Sequence, residues 1–80
     1  MQTLNHIMTM TLHTARITGP VPYRAQSGRQ LHIPIGPCLV EDVDDRSVDI
    51  IWGAQGQSSA ALPVEEIETA KGHGYLVLLD

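Results

Sequence analysis

The amino-acid sequence predicts a small, mainly β domain, and three features carry that expectation. Val48, Ile50 and Trp52 alternate with Asp49, Ile51 and Gly53, the two-residue period of a strand whose successive side chains point to opposite faces. Proline and glycine at Gly19-Pro20, Pro34, Gly36-Pro37, Gly53 and Gly56 cut the chain into short runs. Only the stretch from Pro63 to Gly72 carries helix signals. Aromatic residues are 4% of the chain and none is Phe, while 42% is hydrophobic, so the core must be aliphatic. Eighty residues form one domain, residues 1–80, which buries roughly 60% of its unfolded surface.

Residues 1–6 carry no pattern and are expected to fray. Met8, Met10 and Leu12 alternate with Thr9, Thr11 and His13, which predicts a half-buried strand reaching Ile17. Gly19-Pro20-Val21-Pro22 stops it, because each proline lacks a backbone donor and restricts its predecessor. Gly19 to Gln30 then reads as a long loop. Leu31, Ile33 and Ile35 alternate with His32 and Pro34, a short strand that Pro34 keeps at an edge or bulge. Cys38 to Val43 and Val48 to Trp52 form a hairpin around Asp44-Asp45-Arg46-Ser47, whose side chains bond nearby backbone amides. Gly53-Ala54-Gln55-Gly56 turns the chain into a third strand, Gln57 to Leu62.

Pro63 suits the first position of a helix. Glu65, Glu66 and Glu68 lie early, Lys71 lies late and Gly72 follows, an order that complements the helix dipole and its C-terminal stop. A short helix or 3₁₀ turn over residues 63–71 is expected. Tyr75 to Leu79 is all apolar and reads as a strand covered on both faces.

Short strands, a long loop after the first, a tight meander and a Pro63-Val64-x-x-Ile67 turn before the last strand resemble the SH3-like small β-barrels. The resemblance covers Met8 to Leu79 and implies an antiparallel barrel of five to six strands. Peptide-binding members use an aromatic-lined groove. This chain has only Tyr23, Trp52 and Tyr75, so proline-rich peptide binding is not carried over. The fold by itself implies no function.

Charge is unevenly placed. Residues 1–40 hold Arg16, Arg24 and Arg29 and no acid, whereas all nine acids lie in residues 41–80 beside Arg46 and Lys71. The net charge is −4. One cysteine excludes an internal disulfide and fits a reducing compartment. With neither a leader pattern nor the ~20 apolar residues of a membrane span, the cytoplasm is the expected location and no membrane partner is expected.

Catalytic and metal chemistry find little support. His6, His13, His32 and His73 lack ligand spacing and Cys38 stands alone. The acids around Asp44 lack the glycine and terminal glutamate of a calcium loop. Cys38, at the start of an apolar strand, reads as a buried small hydrophobe. No cofactor, metal or enzymatic activity is expected. What remains is binding. The Gly19–Gln30 loop offers Tyr23, Arg24 and Arg29, with Arg16 beside it. An unidentified protein or a second copy of the chain is the expected partner. Nucleic acid is the alternative, since arginines meet phosphates and an aromatic stacks on a base.

Overall fold

The computed structural model describes residues 11–80. The expected frayed end and the strand start at Met8 and Met10 lie outside the described residues. The chain runs β1 (Thr11–Ile17), β2 (Pro22–Arg24), β3 (Gln30–His32), β4 (Gly36–Asp42), β5 (Ser47–Trp52), β6 (Ser58–Pro63), α1 (Val64–His73) and β7 (Leu76–Leu78). Five strands make one antiparallel sheet in the order β6-β5-β4-β1-β7, and β2 and β3 make a separate hairpin.

The mainly β architecture holds, but the closed barrel of five to six strands does not appear. Among the described residues no ladder joins β6 to β7. The connection between those strands is a ten-residue helix that packs against β5, β6 and β7. It runs two residues past the expected end at residue 71 because Gly72 stays inside it. The stop is Gly74, at φ 79°, a left-handed geometry that glycine adopts without strain. Gly74 N–H donates to Lys71 C=O at 3.0 Å and Tyr75 N–H to Ala70 C=O at 2.9 Å.

The meander forms as its turn chemistry dictates. Asp44 Oδ1 accepts the Arg46 and Ser47 amides at 2.7 and 3.0 Å, closing the β4–β5 turn. Gly56 N–H donates to Gly53 C=O at 3.0 Å across the next turn. Val48 and Ile50 are buried as the alternation requires, while Trp52, on the same face, is only half-buried at the strand end.

Four strand assignments need correction. The Gly19–Gln30 loop contains β2, whose Arg24 pairs with Gln30 and Tyr23 with Leu31. Most of that loop is therefore a hairpin. Pro22 begins the strand, where a missing N–H costs little. The strand after it ends at His32: Ile33 is buried, but Ile35 is 65% exposed beyond Pro34. In β1 the inward residues are Ala15 and Ile17, and Leu12 is 52% exposed. The apolar Leu12 marked the wrong face, since a one-residue change of phase turns every side chain over. Finally β7 is not covered on both faces. Leu76 is buried, whereas Val77 and Leu78 lie at the sheet's rim.

The sheet's inner face, with Val21 and Ile33 beside the hairpin and Ile67 and Ala70 of α1, forms one core. Ile17, Ile33, Ile50, Leu62 and Leu76 are its largest fully buried side chains. His13 reaches Asp80 Oδ1 through Nδ1 at 3.2 Å and Asp42 Oδ2 through Nε2 at 3.5 Å. Asp80 also accepts the Thr14 amide at 3.1 Å. Among the described residues no helix is long and apolar enough to cross a membrane.

Candidate binding groove

Because β6 and β7 do not join, a groove of about 480 Å³ opens between the β2–β3 hairpin, β6 and α1. Pro22, Tyr23 and Arg24 form the hairpin wall, and Ala61, Leu62 and Pro63 form the strand wall. Glu66, Ala70 and His73 form the helix wall, and Tyr75 closes one end. The helical period places Glu66, Ala70 and His73 on one side of α1.

Each aromatic in the groove is held by a neighbour. Tyr23 meets Trp52 edge-on, with ring centroids 5.4 Å apart and planes at 63°. His73 stacks on Tyr75 at 5.2 Å and 24°. Tyr75 in turn packs against Gly19, where a Cβ would overlap its ring. Thr18 fixes this corner: its N–H donates to Tyr75 C=O at 2.8 Å and its hydroxyl to Gly74 C=O. Gly19 thus supports the groove from behind Tyr75, through close approach rather than unusual backbone angles.

The four candidate residues are distributed over the β2–β3 hairpin and β1. Arg24 lines the groove, but its Nη1 donates to Gly28 C=O at 2.7 Å and braces its own hairpin. Arg29 is exposed at the hairpin turn and outside the groove. Arg16 lies exposed on β1, in register with Pro37 and Val77. Only Tyr23 and Arg24 of the four candidates share a site. His73 and Tyr75, read from sequence as turn and covered strand, stand opposite them. Their signal was the pair His73-Gly74-Tyr75 itself, in which a glycine reversal brings two flanking rings together.

Cys38 sits in the core and is buried, and burial pushes its thiol pKa up. A thiolate nucleophile requires the opposite shift. Asp44 is held below the usual carboxylate range by the backbone amides of Arg46 and Ser47, a turn-closing role. Among the described residues no polar side chain is buried and no cluster of His, Cys, Asp and Glu could hold a metal. A second, more open depression lies by Ile35, Leu39, Ile51 and the Gly53–Gly56 turn, and no carboxylate, histidine or basic residue lines it. No family model, curated protein or solved structure matches the chain.

Proposed function

We propose that the domain is a non-enzymatic binding module that holds a segment of another protein in the groove between the β2–β3 hairpin and α1. The observation that carries this reading is the pair of tyrosines, Tyr23 and Tyr75, braced by Trp52, His73 and Gly19 at either side of an apolar floor. Rigid aromatics beside a cleft give contact area at low entropic cost. Arg24, Glu66 and His73 are exposed at the rim, where charge selects and orients a partner more than it binds it. The order of strands, hairpin, meander, helix and final strand supports placing the scaffold among SH3-like folds. The lone reduced thiol supports a cytoplasmic location.

Capture from the source cell tests the reading. Wild-type domain is expected to retain a protein that Tyr75→Ser and Arg24→Glu variants lose. Equal recovery by all three overturns the groove as the contact surface. Release of the captured material by nuclease would favour the second reading, nucleic acid held through Arg24 and Arg29 of the hairpin and Arg16.

A further inference from the structure

β6 is an edge strand of the five-stranded sheet, and its Ala61, Leu62 and Pro63 line the groove across from β2, which packs against it. Val64 N–H donates to Arg46 C=O at 2.9 Å. The register continues from there through Ser47↔Pro63, Val48↔Leu62 and Asp49↔Ala61. Antiparallel pairs alternate between bonded and non-bonded, so Leu62 and Ala60 bond to β5 while the backbone groups of Ser59 and Ala61 point away from it. Both residues are exposed, and among the described residues no backbone partner takes those groups. Pro63, which has no N–H, falls on the same outward series. Edge strands commonly carry a charge or central proline that blocks pairing, and Ser58–Leu62 has neither.

Three features select the occupant. A row of outward N–H and C=O groups fits an extended chain and little else. Alternate side chains of such a chain would enter the groove, which begins beside Ala61 and Leu62. A second copy of β6 would bring only Ser58 and Ala60 there, too small for about 480 Å³, because its Leu62 is already in the core. On the other face Glu41 lies directly opposite Asp49, and Asp49 opposite Ala61. Two carboxylates facing each other across a ladder are destabilising, and the small Ala61 leaves room for a long cationic side chain to reach them.

We infer that β6 accepts, as an added strand, a segment of a partner protein in which apolar and basic residues alternate. The apolar side chains fill the groove and the basic ones lie over Ala61 towards Asp49 and Glu41. This rests on the groove as the contact surface and names the chemistry of what enters it.

The probe is an acetylated, amidated heptapeptide alternating valine and lysine, with a variant carrying a central proline as control. Amide shifts are expected along Ser58–Leu62 and at Tyr23 and Tyr75, and none with the control. Ala61→Pro removes one outward N–H without touching the β5 ladder and is expected to weaken binding about fivefold or more. Asp49→Asn is expected to weaken it less and to flatten its salt dependence. Shifts confined elsewhere, or unchanged affinity in a natively folded Ala61→Pro, overturn the proposal. So does exchange protection of the Ser59 and Ala61 amides in the free monomer, which would mean the edge is already filled from within the chain. A dimer abolished by Ala61→Pro would assign the edge to a second copy and overturn it as well. If the heptapeptide fails while Tyr75→Ser still loses the captured protein, strand addition falls and the groove stands. If Tyr75→Ser retains that protein, the groove itself falls.

Discussion

The two faces of the five-stranded sheet are built on opposite rules. On the inner face the central cross-strand rows are apolar or small, Ala15 opposite Cys38, Val40 opposite Ile50, Ile50 opposite Ala60, and polar partners enter only at one end, where His13 opposes Val40 and Asp42 opposes Val48. Helix and hairpin cover it. On the outer face Glu41 opposes Asp49, Arg16 neighbours Val77, and Leu12 is exposed. The inner face therefore holds the fold, and the outer face is free to carry charge that the fold itself does not need. The groove lies at the border between the two.

The largest effect that would break this contrast is a truncation on each face. Ile50→Ala is expected to cost about 2–5 kcal/mol, read by urea denaturation. Leu12→Ala on the outer face should stay within about 0.5 kcal/mol. Similar losses from both would mean the outer face is also packed. Next in size is Gly19→Ala, whose Cβ meets the Tyr75 ring. Overpacking of this kind costs about 1–3 kcal/mol, and shift changes should concentrate at His73 and Tyr75. Unperturbed signals there would show that the corner yields freely.

Smaller again is Asp49→Thr, which relieves the like-charge pair with Glu41. A gain of about 0.2–1 kcal/mol is expected, measured by the same denaturation, together with weaker binding of a basic strand. Stability and recognition would then move in opposite directions at one position. The smallest effect concerns Asp44. Its carboxyl is held low by two amides, so the stability it contributes is present above the ordinary carboxylate pKa and fades as the pH falls through the lower, folded value. Asp44→Ala should flatten the loss of stability below about pH 4; an unchanged acid limb in the variant would show that the turn is held by other means.

How much of this was legible in the sequence follows from the range of the interactions. The β4–β5–β6 meander was readable because Asp44 and the glycines at 53 and 56 set its turns within a few residues. The β2–β3 hairpin was not, since three-residue strands carry too little alternation and their pairing depends on Val21 and Ile33 finding the core. The phase of β1 was misread because the two methionines and Leu12 outweighed Ala15, a small residue that packing favours. The groove was half legible. Tyr23 and Arg24 stood out in a loop, but His73 and Tyr75 lie about fifty residues further along the chain, and only the sheet's open seam brings them opposite. That seam exists because the connection after β6 forms a full helix through Gly72, a choice between two glycines that local sequence does not decide.

The chain has a single tryptophan, and it touches the hairpin through Tyr23. That gives the molecule a built-in optical probe. Intrinsic indole emission should report how closely the hairpin sits on the sheet, so a ligand that pries the two apart would announce itself without any label.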